Sequence, residues 1–354
     1  MTIIDEKKKI IEHLPRDASS GRETPSFDPS AITDVESAVL ALQNCGPADG
    51  NLGKALEVLA MMVSEPSCLR VLAMSGAMIP AGMEEIICQL VERHVVNVIV
   101  TTGANITHSL VNVLGEDGTQ AHYLGSPNDD DVDLSRNHVF RIYDTVIPEN
   151  EFDVANETLY QIIRSEFPGA AQVVTCPSEL FALLGKKITK RCMLKVAHDN
   201  GVPVFCGATS DSELGINLMK FRDFHDLKIV LDEVGDIGNF SKYITAYPCH
   251  GTIIIGGGVP RNWTQQVFPY IHDLEVARGA GLKHKGYDYS VRFYTAVPDD
   301  GGCSGCTISE NVSWGKYHAK SMHQEVWGDA TVSFPLVVTA LFQMLEKRVE
   351  KKGA

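Results

Sequence analysis

The sequence predicts an α/β fold: a doubly wound, mainly parallel sheet in one large domain, residues 31–354, preceded by a polar arm at residues 1–30. Three observations carry this reading. Six short apolar runs lack the alternation of half-exposed strands, so both of their faces are expected to be buried. Helical patterns lie between them, an order that gives crossover connections and parallel pairing. Each run ends in small or acidic residues. Such loops follow the carboxyl ends of parallel strands, where ligands of these sheets bind.

The arm is broken by Pro15, Gly21, Pro25 and Pro29, with room for a short helix over residues 5–14. Residues 34–64 read as helices, because VESAVLALQ and LGKALEVLAMMV repeat apolar residues at three and four and are rich in Ala, Leu and Glu. A strand at 70–74 leads through SGAMIPAGM into the helix MEEIICQLVERH, and a strand at 96–101 leads into TGAN. Between residues 118 and 191 the pattern is less regular. NDDDVDLSRNHVFRIYD reads as a solvated acidic surface loop in preference to a cation site, since Asp129, Asp130 and Asp131 are consecutive and lack EF-hand spacing. ANETLYQIIRSEF and SELFALLGKKI read as helices. Strands then follow at 202–205, 228–231, 252–255 and 290–294, ahead of CGATSDSELG, DEVGD, GGGVPR and TAVPDDGG.

Composition narrows the function. Of 354 residues 44% are apolar, enough for a sizeable core, and the formal charge is −14. A surface short of Lys and Arg is a poor match for nucleic acid and instead attracts cations, polyamines among them. Nine scattered cysteines make an odd, unpatterned set, which suggests a reducing compartment. With no secretory h-region at the start and no run of membrane-spanning length, the expected location is the cytoplasm.

Three motifs bear on chemistry. Gly256, Gly257 and Gly258 follow a strand directly, so a phosphate can approach the backbone closely there. Neither they nor TTGAN at 101–105 form G-x-G-x-x-G. Cys303 and Cys306 form a C-x-x-C with no second pair to complete a zinc site. They read as structural thiols, with contact to substrate as the other reading. SENVSWGKYH, residues 309–318, brings Glu310, Trp314 and Lys316 together. A lysine flanked by an indole and a glycine, partly desolvated, has a lowered pKa and a free lone pair for a carbonyl or imine carbon. Trp314 can stack on a cation or wall off water, and Glu310 can anchor an amine. On this pattern alone, a surface lysine beside a core tryptophan stands as the other reading.

GVPVFCGATSDSELG, TIIIGGGVPRNW, SVRFYTAVPDDGGCSG, ENVSWGKYH and GDATVSFPLVV, in this order and spacing, resemble the deoxyhypusine synthase family. SGAMIPAG and VTTGANITHSL fit more loosely. The resemblance implies a Rossmann-like subunit, a homotetramer with sites at subunit interfaces, and NAD used without net redox change. Spermidine is oxidised to an imine, 1,3-diaminopropane leaves, and the butyl-imine passes to a lysine and then to an acceptor amine. That acceptor is a protein lysine in deoxyhypusine synthase and putrescine in homospermidine synthase. Carried over by position, Lys316 is the imine-forming lysine. Glu310, Trp314, Asp300, Cys303 and Asn262 fall on substrate positions. Thr101, Thr102, Gly103, Asp211, Gly256, Gly257, Thr295, Ala296, Asp329 and Ala330 fall on NAD positions, and no metal is implied.

The chain also departs from the family. Ile106, Thr107 and His108 stand where paired acids are placed after the TTG turn, and Ile216 replaces a further acid. Cys303 replaces an acid that grips the polyamine, and Asn262 replaces a histidine. These departures point to the prokaryotic deoxyhypusine-synthase-like branch, with preserved chemistry on an altered substrate. A small amine acceptor, such as putrescine or a guanidino-amine, is favoured over a protein lysine. An NAD-dependent amine dehydrogenase, and an inactive polyamine- or NAD-binding regulatory homologue, remain as alternatives.

Overall fold

The computed structural model describes residues 26–45, 51–116, 121–298 and 301–353. Most of the expected arm, with its short helix, lies outside the described residues. In chain order, helices α1 (Val35–Ala41) and α2 (Leu52–Ser64) precede strand β1 (Cys68–Met74), α3 (Glu84–Glu92), β2 (Val98–Thr101) and α4 (Gly103–Leu114). Then come β3 (Tyr123–Leu124), α5 (Asp131–Arg136), β4 (Val139–Ile142), β5 (Thr145–Pro148), α6 (Glu149–Glu166) and β6 (Gln172–Thr175). Next are α7 (Pro177–Lys187), α8 (Met193–Asp199), β7 (Val204–Cys206), α9 (Glu213–His225), β8 (Lys228–Leu231) and α10 (Glu233–Thr245). The chain ends with β9 (Cys249–Ile255), α11 (Gly258–Ala277), β10 (Tyr287–Tyr294), α12 (Ile308–Ser313), β11 (Tyr317–Trp327) and α13 (Ala330–Gly353).

Local chemistry fixes several boundaries. Asp34 and Ser37 form a reciprocal capping box on α1, Asn51 caps α2, and Pro177 opens α7, where its missing N–H costs nothing.

Six strands form one parallel sheet in the order β11-β10-β9-β1-β2-β7. Numbered along the chain this is 6-5-4-1-2-3. The path runs outward from β1 through β2 to β7, then returns to β9 on the other side of β1. The crevice between the ends of β1 and β9 is therefore the switch point of the sheet. Both faces are covered, as the unalternating apolar runs predicted. Alternate residues of β1 enter separate cores: Cys68, Leu72 and Met74 join one, Leu69 and Val71 the other. Ile99 of β2 faces the first core, and Val98 and Val100 face the second.

Three elements differ from the sequence reading. β8 forms where expected but pairs with β6, which the pattern did not reveal, in a separate two-stranded sheet. The acidic stretch is not a plain loop. Asp130 caps α5, the carboxylate of Asp131 is bound by Arg141 at 2.6 and 2.7 Å, and the chain continues into the β3-β5-β4 sheet. β11 is an edge strand of eleven residues, YHAKSMHQEVW, too polar and too exposed to show a strand pattern. No described helix is long and apolar enough to cross a membrane.

α13 covers the sheet through Phe334, which is fully buried and meets Phe293 of β10 edge-on at 5.4 Å. Phe334→Ala is expected to remove about 3–5 kcal/mol of stability. The urea midpoint should fall with the slope unchanged.

Candidate functional site

One cavity lies at the carboxyl edge of the sheet and a second runs along the start of α11, with a glycine turn between them. Gly256 (φ 74°) and Gly258 (φ 59°) both adopt left-handed backbone, which glycine enters without strain. A Cβ at Gly256 would collide with the Ser75 hydroxyl. That hydroxyl ties the two central strand ends together, donating to the Ile255 carbonyl at 2.9 Å and accepting from the Gly257 N–H at 3.1 Å. One cavity, of about 480 Å³, lies at the switch point and is lined by Ser75, Gly76, Gly256, Thr295, Asp329 and Ala330. Tyr143 and Asp144, from the β4–β5 turn, form its outer side. The other, of about 600 Å³, is lined by Gly258, Arg261, Asn262, Cys303, Cys306, Glu310, Trp314 and Lys316. Both volumes are ordinary for small-molecule sites.

Lys316 is held from both sides of its backbone. Thr307 caps α12 by accepting the Glu310 N–H, and Gly315 (φ 69°) reverses the chain after Trp314. The Lys316 N–H then donates to the Asn311 carbonyl at 3.2 Å, while its carbonyl accepts the Tyr287 N–H at 3.1 Å. The side chain is only 8% exposed, and Nζ donates to Asn262 Oδ1 at 2.9 Å. Burial pushes the amine below the ordinary lysine pKa of 10.5. The Arg261 guanidinium adds to this, and Cys306 and Glu310 offset part of it. Trp314 is not the wall the sequence suggested. It is 64% exposed at the cavity rim, with its ring centred 5.8 Å from Nζ.

Two buried arginines shape the loop opposite. Arg261 donates to the carbonyls of Ser304 at 3.2 Å and Cys306 at 2.6 Å. Arg292, fully buried on β10, donates to Gly256 O at 3.1 Å, to Cys306 O at 3.2 Å and to Ser304 O. It is also paired with Glu325 at 3.2 Å. The glycine turn and the 304–306 loop are thus fastened to one guanidinium. Sequence reading missed both arginines. For Arg292 the available signal was a charged residue inside the apolar run SVRFY, a placement that demands bonded partners; VPRNW offered no such signal for Arg261.

The expected site residues divide into three groups. Gly256, Thr295, Asp329 and Ala330 meet at the first cavity, where Asp329 accepts the Thr331 N–H and hydroxyl, each at 2.7 Å, which lowers its pKa. Asn262, Cys303, Glu310 and Trp314 meet Lys316 at the second. The rest line neither. Thr101 donates to the Met74 carbonyl at 3.2 Å, Thr102 caps α4, and Gly103 packs where a Cβ would collide with Ser212. Gly257 sits within the dividing turn, while Asp211 and Ala296 lie on loops outside both linings. Asp300 lies outside the described residues.

The positions that depart from the family also have structural roles. Ile106 is in the core, and the Thr107 hydroxyl bridges the Gly103 carbonyl and the Leu214 N–H. His108 bonds His122 at 3.0 Å, and burial holds both imidazoles down to about 4, hence neutral. Ile216 is exposed on α9. Among the described residues, no cluster of three or more His, Cys, Asp or Glu is arranged to hold a metal ion.

Arg292→Met would strip three carbonyls and Glu325 of their shared donor. The expected loss is about 3–5 kcal/mol, as for a buried pair with one partner removed. It should appear as a lower thermal midpoint and faster protease cleavage between residues 296 and 306.

Known proteins resemble this chain in sequence and in fold. The deoxyhypusine synthase family profile matches residues 38–341. "Probable deoxyhypusine synthase 2" of Archaeoglobus fulgidus is 33% identical over 290 residues, 82% of this chain and 92% of that protein. "Deoxyhypusine synthase-like protein" of Chlorobaculum tepidum is 33% identical over 81% of this chain and 80% of its own. The crystal structure of a protein from Entamoeba histolytica, assigned as a deoxyhypusine synthase, superposes with a TM-score of 0.57 at 16% identity. That match covers 90% of this chain and 96% of the other. The chain belongs to the deoxyhypusine synthase family.

Proposed function

We propose that this protein is an NAD-dependent aminobutyl transferase of polyamine metabolism that works through an imine on Lys316. One observation carries the reading: a buried amine of lowered pKa, bonded to Asn262, lies in a cavity separated by a single glycine turn from the switch-point cavity. Family membership supports the same reaction class.

The residues at the switch point fit a dinucleotide. The strand order 3-2-1-4-5-6 is that of Rossmann-like sheets. The glycine turn admits a close approach of a phosphate to the backbone at Gly256. Ser75, Gly256, Thr295 and Asp329 would hold the dinucleotide. Thr101, Thr102, Gly103, Gly257, Asp211, Ala296 and Ala330 would build or flank the connections around it. When bound, NAD supplies a hydride acceptor for the donor amine and a hydride donor for the final reduction.

The chain's own groups do the remainder. Glu310 anchors an ammonium of the donor, and Trp314 stacks on a cationic segment at the rim. Asn262 aims the Lys316 lone pair. Nζ adds to the imine carbon of the oxidised donor, the C–N bond to 1,3-diaminopropane breaks, and that amine leaves carrying the proton lost by Nζ. The acceptor amine then displaces Lys316 by the same exchange. Glu310 is the only carboxylate among the described residues lining this cavity, which supports a small amine acceptor in place of a larger polycation. The exposed indole supports an assembly, a homotetramer in this reading, in which a neighbouring subunit closes the rim. Nine scattered cysteines, odd in number, support a cytoplasmic location in this reading.

Borohydride reduction in the presence of NAD and spermidine is expected to leave an aminobutyl adduct on Lys316, located by peptide mass, and none in Lys316→Ala. Steady accumulation of NADH absorbance would instead indicate a plain amine dehydrogenase. Binding of NAD and amines without any adduct or product would indicate a regulatory binder. Adduct formation should rise with pH as the ammonium loses its proton, and level off below 10.5. Asn262→Asp places an anion beside Nζ, stabilises the ammonium, and should move that rise up by about one pH unit or more.

A further inference from the structure

We propose that Cys303 and Cys306 form a reversible disulfide at the mouth of the Lys316 cavity, a modification site through which an oxidant silences the amine. Only the silencing rests on the transferase reading; the disulfide stands on geometry.

The two cysteines are the ends of one tight turn. The Cys306 N–H donates to the Cys303 carbonyl at 3.2 Å, with Ser304 and Gly305 between. Ends of a β-turn lie within ~7 Å, and a disulfide spans Cα separations of ~4.4–6.8 Å. The turn is pinned, because a Cβ at Gly305 would collide with the Val297 carbonyl. Arg261 and Arg292 hold the carbonyls of Ser304 and Cys306 from the other side. Both thiols line the cavity that contains Lys316.

Their surroundings assign different roles. Cys303 is exposed, sits in left-handed backbone (φ 57°), and its thiol meets the Gly301 carbonyl at 3.9 Å. Cys306 is half-buried, and burial together with its bond to the Glu310 carboxylate keeps its thiol protonated. With a peroxide as oxidant, the Cys303 sulfur attacks one peroxide oxygen, the O–O bond breaks, and one water leaves. The Cys306 sulfur then attacks the Cys303 sulfenic acid, the S–O bond breaks, and a second water leaves. Overall two thiols lose two hydrogens while one peroxide is reduced to two waters. A low-molecular-weight disulfide gives the same product by exchange.

Bridging fastens the 303 end of the turn to its 306 end in the wall of the cavity, which narrows the way to Lys316 for donor and acceptor alike. The oxidised enzyme should therefore transfer at least ~10-fold more slowly, and dithiothreitol should restore it, since displacing the groups around a reacting centre by ~1 Å can cost ~100-fold.

The test uses the full chain treated with equimolar hydrogen peroxide, then alkylated and mapped without reduction. A peptide lacking two hydrogens, with Cys303 and Cys306 unalkylated, is the expected product; Cys303→Ser and Cys306→Ser should each fail to give it. Cys303 oxidised to sulfinic acid beside an alkylated Cys306, or a bridge between Cys68 and Cys249, overturns the proposal. Silencing is read twice. One reading is the ratio of oxidised to reduced transfer rates, expected to be ~0.1 in the wild type and near one in either variant. The other is the rate of Lys316 labelling by trinitrobenzenesulfonate, which needs no transferase activity. A bridge that forms without slowing labelling defeats the silencing claim. A bridge that slows labelling in a chain that transfers nothing upholds it and removes the transferase reading alone.

Discussion

A lysine amine kept out of water is the constraint on which this site depends. Burial opposes its charge, so the folded protein binds that proton less tightly than the unfolded chain does. Stability therefore rises with pH between the depressed pKa and 10.5, and at neutral pH the fold tolerates a cost to keep Lys316 ready to lose its proton. The cost is accepted locally. Hydrogen bonds to Asn311 and Tyr287 fix the backbone on both sides of the residue, and Asn262 gives Nζ an acceptor without supplying a negative charge.

The same edge of the sheet explains why two cavities are so close and yet distinct. β1 and β9 end beside one another because the chain reverses its winding between them. The Ser75 hydroxyl and the Gly257 N–H fasten those two ends together, and the left-handed Gly256 and Gly258 turn the chain sharply enough to face one cavity at 256 and the other at 258. A Cβ at Gly256 would strike the Ser75 hydroxyl, and at Gly258 a side chain would strain the left-handed backbone. The turn is in turn anchored from β10 by Arg292, whose donors also reach the 304–306 loop. Movement of the loop and movement of the glycine turn are therefore coupled through one buried cation.

What the sequence revealed follows from what leaves a periodic or compositional trace. β1, β2, β7, β9 and β10 were legible because burial on both faces demands unbroken apolar runs. The glycine triplet and VSWGK were legible because few residues tolerate such backbone, and few patterns place a lysine after it. β11 was not legible: an edge strand meets water, and YHAKSMHQEVW carries no alternation. The pairing of β8 with β6 was not legible either, because four-residue apolar runs do not encode which sheet they join. Thr101, Thr102 and Gly103 show a subtler limit. Their positions match nucleotide loops, yet the two threonine hydroxyls are bonded within the β2–α4 connection and Gly103 packs against Ser212, a distinction that depends on hydroxyl direction and packing and not on residue type.

Arg261 brings these threads together. An apolar residue at that place would also dry the lysine, but it would leave the Ser304 and Cys306 carbonyls with fewer donors on the cavity side. A guanidinium satisfies both carbonyls and adds a positive field that works in the same direction as burial on Nζ. Arg261 is tolerated beside a second buried cation, Arg292, because carbonyl oxygens and Glu325 surround the pair. A lysine in place of Arg261 would present one charge without the fork, and would bind the two carbonyls less well. Burial is thus the main cause of the lowered pKa of Lys316, and the guanidinium that holds the loop adds to it, against a smaller opposing effect of Cys306 and Glu310.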